Sequence, residues 1–290
     1  MPTRLLRWMG GKIRVAHILV SLFPEDCEHY YEPFVGSGAV ILNKLRQSLE
    51  VINDKDKKMA TLHKILADRE KGKILIDELY RQTVNKKEFK KAQNALRYNL
   101  RNMDDIELAK NEFIRRYFSF NGLGEAYYEI SHREYINDIS YHLPQIYERY
   151  RDVRVRCGCG IELMEEVAVN EKAFIFADPP YVKELRGRKN IYACEMSVEA
   201  HKRMLSIIKD AKCKVMLCGY AKEDGNDLYD RFLLPGGKWK RYKLAELSKS
   251  CQRNKDKRDV GIEYIWVNYE LPYFARYVID MSTEFSAAKM

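Results

Sequence analysis

The chain contains no uninterrupted apolar run of about 18 residues, which excludes a hydrophobic membrane-spanning helix. Its start, Met1-Pro2-Thr3-Arg4-Leu5-Leu6-Arg7, reaches Gly10-Gly11-Lys12 before the apolar core of a signal peptide could form. The expectation is therefore a cytoplasmic protein. No pair of CxxC units is present, and the seven cysteines (27, 157, 159, 194, 213, 218 and 251) are odd in number and irregularly spaced. That pattern argues against a structural zinc site and for reduced, mostly buried thiols, so no metal is expected. Internal repeats and low-complexity segments are also missing. The apolar share of 46% is that of a globular chain and excludes disorder throughout.

What the chain does have is positive charge, with 51 Lys and Arg against 42 Asp and Glu in 290 residues. An excess of +9 points to an anionic partner, although surplus lysine also aids solubility. The charge is uneven. Between Lys238 and Arg258 nine basic residues stand against two acids, Glu246 and Asp256, with Trp239, Tyr242 and Gln252 interleaved. Such density with aromatics suits contact with phosphates as well as it suits a solvated loop. Lys183, Arg186, Arg188 and Lys189 form a second basic stretch, and Lys86, Lys87, Lys90, Lys91, Arg97 and Arg101 a third.

The hydropathy pattern reads as α/β. A helix is expected over 13–22, a strand over 29–32, a helix from Ala39 to Leu45, a strand over 50–53 and a helix over 56–67. This β-loop-α-β order is the opening of a doubly wound domain with a mostly parallel sheet. From residue 70 to about 150 the pattern changes to charged helices (72–82, 86–101 and 105–118), read as an insertion. Strands resume at 153–156, 173–177, 213–218 and 262–269, with a helix at 197–209. The run Ala173-Phe174-Ile175-Phe176-Ala177 is apolar throughout, as expected of a central parallel strand covered on both faces.

Four motifs carry chemistry. Asp178-Pro179-Pro180-Tyr181 follows the central strand directly, and two prolines force the chain out of the sheet there. This puts Asp178 and Tyr181 at a strand's carboxyl end, where open α/β folds bind ligands. A carboxylate that only accepts and a flat ring suit an amino group on an aromatic base. Glu32-Pro33-Phe34-Val35-Gly36-Ser37-Gly38 lets the backbone approach a ligand, and the helix expected after it offers free amides. It lacks the third glycine of a dinucleotide fingerprint, because position 41 is Ile41, and so does not support NAD. Asp54 ends the next strand, well placed to accept from ribose hydroxyls or simply to cap a turn. Arg7-Trp8-Met9-Gly10-Gly11-Lys12 alone reads as a turn before a helix.

Together, in this order, the four resemble the DNA adenine methyltransferase family, in particular the alpha group that includes the Dam enzymes: RWxGGK, EPFxGxG, the strand-end Asp and DPPY. The likeness runs from about residue 4 to about 270 and takes in Asn121-Gly122-Leu123 and Tyr264-Ile265-Trp266-Val267-Asn268-Tyr269. It implies a Rossmann-like fold that uses S-adenosylmethionine (SAM), with 1–70 and 145–290 as the catalytic domain and 71–144 as a helical target-recognition insertion. It implies SAM contacts at Trp8, Lys12, Phe34, Gly36, Gly38, Asp54 and Asp178, with the Lys12 ammonium near the cofactor carboxylate. Catalysis would fall to Asp178, Pro179 and Tyr181. The partner implied is double-stranded DNA, met at Asn121 and Gly122 and, through the basic segment, at Lys255, Lys257 and Arg258. The origin implied is bacterial, phage or a mobile element, in a restriction-modification setting, and a monomer is the default.

Two departures are visible. Where the family often carries an acid after its third strand, this chain has Cys157-Gly158-Cys159-Gly160-Ile161-Glu162. Where GATC-reading members follow Asn-Gly-Leu with Arg-x-Asn, it has Gly124-Glu125-Ala126-Tyr127. Amino-methylation of cytosine, methylation of RNA, and a catalytically silent DNA-binding protein of the same fold stand as alternatives.

Overall fold

A computed structural model describes residues 3–83, 85–182, 194–221, 227–248, 260–275 and 277–279. Lys255, Lys257 and Arg258 lie outside the described residues, as do Cys251 and the basic stretch from Lys183 to Lys189.

The strands are β1 (His29–Glu32), β2 (Leu49–Asp54), β3 (Arg154–Cys157), β4 (Ala173–Ala177), β5 (Lys214–Tyr220), β6 (Lys240–Ser248) and β7 (Val260–Val267). They form one sheet in the order β3-β2-β1-β4-β5-β7-β6. β2 with β3, β1 with β4 and β4 with β5 pair parallel, while β7 runs antiparallel to both β5 and β6. Every residue of β4 is buried, as its unbroken apolar sequence requires. The helices are α1 (Ala16–Ser21), α2 (Lys57–Ala67), α3 (Arg69–Tyr80), α4 (Lys86–Tyr98), α5 (Asp105–Tyr117), α6 (His132–Asn137), α7 (Leu143–Tyr150), α8 (Gly160–Val167), α9 (Val198–Lys209) and α10 (Leu228–Leu233).

The chain divides into two compact units, each discontinuous in sequence. The first comprises Met1–Ala16, Val35–Lys44 and Val51–Gly158. Its helices start where their caps dictate: Asp56, Asp68, Asn85, Asp104 and Ser131 each accept a backbone N–H from the first turn of α2, α3, α4, α5 and α6. An aromatic cluster of Phe113, Tyr117, Phe118 and Tyr135 packs among them. The second comprises His17–Phe34, Leu45–Glu50 and Cys159–Met290. There Phe23 meets Phe174 edge-on at 4.6 Å between ring centroids, and Trp266 is fully buried.

Two expectations need correction. No α-helix follows Gly38: residues Ile41–Asn43 make only a 3-10 turn, so the expected helical N-terminus with free amides is absent. The apolar Ala39 to Leu42 is buried, but Lys44 has extended backbone, which stops the turn. The second concerns the basic run from Lys238. Its first half is strand β6, at the edge of the sheet, where lysines blunt pairing with a foreign strand. Arg241 there pairs with buried Asp230 at 2.7 Å and lies 4.6 Å from the Tyr264 ring, while Lys240 pairs with Glu270 and the Lys238 amine donates to the Ala211 carbonyl. The thiols are mixed: Cys27, Cys213 and Cys218 are buried, and Cys157 is exposed.

Candidate active site

Seven of the expected site residues belong to the first unit: Trp8, Lys12, Gly36, Gly38, Asp54, Asn121 and Gly122. The Trp8–Gly11 segment closes a turn, with the Gly11 N–H donating to the Trp8 carbonyl at 3.1 Å. Lys12 starts a 3-10 turn and is buried, its ammonium 3.4 Å from the Gly10 carbonyl. Its positive charge is of the sign that a carboxylate ligand would meet. The Trp8 indole lies against Gly36: a Cβ added at Gly36 would stand 3.1 Å from its nitrogen.

Asp54 ends β2 and clamps the glycine loop. One carboxylate oxygen accepts the Gly36 N–H at 3.2 Å, and the other accepts the Asp56 N–H at 2.8 Å. Each oxygen keeps a lone pair for a further donor such as a ribose hydroxyl. Burial raises its pKa to about 7, assisted by the like charge of Asp56 and opposed by the two N–H donors and Arg116. The donor and acceptor set of Lys12, Trp8 and Asp54 thus fits SAM, whose amino-acid end carries a carboxylate and whose ribose carries a diol.

Behind the loop sits a pair that sequence reasoning missed. His63 of α2 donates from Nε2 to the Gly36 carbonyl at 2.8 Å, and its Nδ1 accepts from the Tyr150 hydroxyl at 3.0 Å. Burial holds the ring neutral, with its pKa lowered to about 4. Gly38 has φ +69, and a Cβ there would overlap the Tyr150 hydroxyl at 2.3 Å, so only glycine fits. Nothing local in the sequence marks His63 or Tyr150, which sit on the apolar faces of helices 87 residues apart.

The Asn121 turn is fixed from below. Asn121 and Gly122 have φ of 53 and 69. A Cβ on Gly122 would fall 1.8 Å from the Arg7 carbonyl oxygen, so the turn lies directly on the Trp8 segment. Arg116 of α5 ties the parts together. It donates to the Gly122 carbonyl at 2.8 Å and to Glu112 at 2.8 Å, stands 3.6 Å from Asp56, and lies 4.6 Å from the Trp8 ring. Phe120, beside this turn, is exposed.

Phe34, Asp178, Pro179 and Tyr181 belong to the second unit. Gly160 opens α8 against the Phe34 ring, where an added Cβ would stand only 2.7 Å from the ring and from the Pro33 carbonyl. Asp178 follows β4, partly exposed. The Tyr181 ring is buried, meets Tyr220 edge-on at 4.8 Å and donates its hydroxyl to Glu263 of β7. Burial, with Asp178 and Glu263 nearby, keeps that hydroxyl protonated far above neutral pH.

At the position of the family's usual acid, the Cys157-Gly158-Cys159 turn is bound to the end of β2: the Gly158 N–H donates to the Asp54 carbonyl at 3.3 Å, and the Asn53 amide to the Gly158 carbonyl at 3.1 Å. Among the described residues no group of three or more His, Cys, Asp and Glu could hold a metal ion, and no helix is long and apolar enough to cross a membrane.

Comparison with known proteins gives a consistent answer. The profile of the D12 class N6 adenine-specific DNA methyltransferases matches residues 8–242. The chain is 25% identical over 198 residues to the type II methyltransferase M.MjaIII of Methanocaldococcus jannaschii, covering 61% of this chain and 68% of that one. It is also 25% identical over 195 residues to the type II methyltransferase M1.LlaDCHI of Lactococcus lactis subsp. cremoris, covering 61% of this chain and 64% of the relative.

Proposed function

The chain belongs to the D12 class N6 adenine-specific DNA methyltransferase family, and from that premise we propose that it transfers a methyl group from SAM to the exocyclic 6-amino nitrogen of adenine in double-stranded DNA. The observation that carries this reading is Asp178-Pro179-Pro180-Tyr181, intact at the end of the fully buried β4 in a chain of this family. SAM supplies a methyl group on a sulfonium, an electrophile that needs no metal.

An aromatic amino nitrogen is a weak nucleophile because its lone pair is delocalised into the ring. Asp178 and the Pro179 carbonyl each accept one of its N–H bonds, which favours a pyramidal nitrogen with the lone pair directed outward. The contribution is orientation and charge stabilisation, since a carboxylate is far too weak a base to ionise such an amine. A target atom inside a duplex is reached only by flipping the base out, and Tyr181 offers the ring against which it stacks. Trp8, Lys12, Phe34, Gly36, Gly38 and Asp54 hold SAM, Lys12 through its carboxylate and Asp54 through the ribose. Residues 71–144 serve target recognition on a catalytic domain of 1–70 and 145–290, with Asn121 and Gly122 meeting DNA. Lys255, Lys257 and Arg258 hold phosphates. We take the working protein as a monomer in the cytoplasm, in a restriction-modification setting; the relatives it matches are named type II methyltransferases.

The test is transfer of a tritiated methyl group from SAM to unmethylated duplex DNA, followed by digestion to nucleosides. N6-methyladenine is the expected product. Label in N4-methylcytosine or only in RNA overturns the substrate, and DNA binding without any transfer overturns the activity. Asp178→Ala is expected to abolish transfer, by about two orders of magnitude or more, while filter binding of DNA stays near wild type.

A further inference from the structure

Glu263 is a carboxylate buried to 2% exposure in the middle of β7, flanked by β5 and β6. An ionisable group in such a place is costly to hold unless it is hydrogen-bonded, and an apolar residue would pack there without that cost. Glu263 accepts the hydroxyl of Tyr181. Its register partner on β5 is Tyr220, whose ring meets the Tyr181 ring edge-on at 4.8 Å. On the other side, β6 breaks register opposite this residue: Lys243 pairs with Tyr264 and Ala245 with Glu263, leaving Leu244 as an extra residue. A bulge of this kind locally twists a strand and re-aims its neighbours, and bulges concentrate beside functional sites. The tyrosine ring is thus held at its edge by one strand and at its hydroxyl by the next.

We propose that Glu263 is a positioning residue for the target base: it anchors the hydroxyl of the buried Tyr181, so that the orientation of the ring is set before DNA arrives. The proposal rests on the reading of Tyr181 as the stacking residue. A preset ring spares the ordering of that side chain at the moment of binding and fixes the amino group relative to Asp178, where a small misplacement is costly in rate.

The experiment is steady-state methylation of unmethylated bacterial genomic DNA by the full chain, with kcat and the KM values for SAM and for DNA measured for five proteins. Glu263→Gln keeps an amide oxygen to accept the hydroxyl and is expected to stay within about threefold of wild type in kcat. Glu263→Ala and Tyr181→Phe, which remove the acceptor and the donor, are each expected to lower kcat about 10- to 100-fold with the SAM KM unmoved. The double variant is expected to be no slower than the slower single, because one interaction has been removed twice. Losses that multiply in the double variant, or a Tyr181→Phe enzyme as fast as wild type, overturn the proposal. If Glu263→Ala fails to fold, Tyr181→Phe against Glu263→Gln decides on the same criterion. Wild-type protein that never methylates adenine defeats the proposed function itself, whereas active wild type with an indifferent Tyr181→Phe defeats this inference alone.

Discussion

Gly36 is held at both of its backbone polar groups, its N–H by Asp54 and its carbonyl by His63, and the two holders titrate in opposite senses. Asp54 is shifted up to about 7, so its ionised form is disfavoured in the fold and its contribution to stability declines as pH rises from the ordinary carboxylate range through 7. His63 is shifted down to about 4, below the ordinary imidazole value, so the stability it brings is present above that value and is lost as pH falls toward 4. His63→Gln keeps a donor and an acceptor without a titrating ring. We expect it to unfold at a lower temperature than wild type at pH 7.5, the gap corresponding to about 1–3 kcal/mol. The gap should narrow as pH falls from about 6.5 toward 4, because only wild type must then exclude a proton. Thermal unfolding at a series of pH values reads this, and a constant gap removes His63 from the acid limb. Gly122→Ala is a sharper case, since its Cβ would overlap the Arg7 carbonyl oxygen at 1.8 Å with φ at +69. A loss of about 3 kcal/mol or more is expected in urea unfolding, from strain plus backbone displacement.

Helix α5 shows how an element can be both regular and specialised. Its cap, Asp104, and its apolar Leu108, Phe113 and Ile114 are what the sequence pattern announces. The other positions do something the pattern conceals: Glu112, fully buried, takes a two-pronged contact from Arg115 at 2.9 and 2.7 Å and a third bond from Arg116 at 2.8 Å. Glu112→Ala takes from Arg115 its bidentate carboxylate and from Arg116 the nearer of its two, Asp56 standing at 3.6 Å, and is expected to destabilise by about 3–5 kcal/mol in chemical unfolding. The exposed pair of Arg203 and Glu165, at 2.8 Å, is the control: Arg203→Ala should change stability by less than about 1 kcal/mol. The strand β6 teaches the reverse lesson. Lys240, Arg241 and Lys243 look like a charged loop in the sequence, because strand propensity is weak beside so much charge. They form an edge strand because β7 supplies its hydrogen bonds and Asp230 supplies a counter-charge for Arg241.

For the molecule as a whole, the +9 charge predicts how binding responds to salt. Neutralising Lys255, Lys257 and Arg258 together should weaken DNA binding and reduce the slope of log K against log salt by about two to three, since each phosphate contact contributes about −0.9. An unchanged slope in fluorescence anisotropy titrations removes this segment from the interface. The fold class with its mostly parallel sheet, the helices α3, α4 and α5 and the four motifs were legible in the chain because each leaves a mark within a few residues: an unbroken apolar run, a helix cap, two prolines, a glycine pair. Which strands pair was not, because partners such as Val51 and Arg154 lie far apart in the chain. Folding decided the rest. The loop after Gly38 became a 3-10 turn, and the polar groups of Gly36 before it are met by Asp54 and His63. Glu263 became an anchor for Tyr181 across 82 residues, and Arg116 became a joint between Trp8, Asp56 and Gly122. None of these roles could be read locally, because a buried charge or imidazole is tolerated only where distant segments bring it a partner, and the pairing exists only once the chain has closed around it.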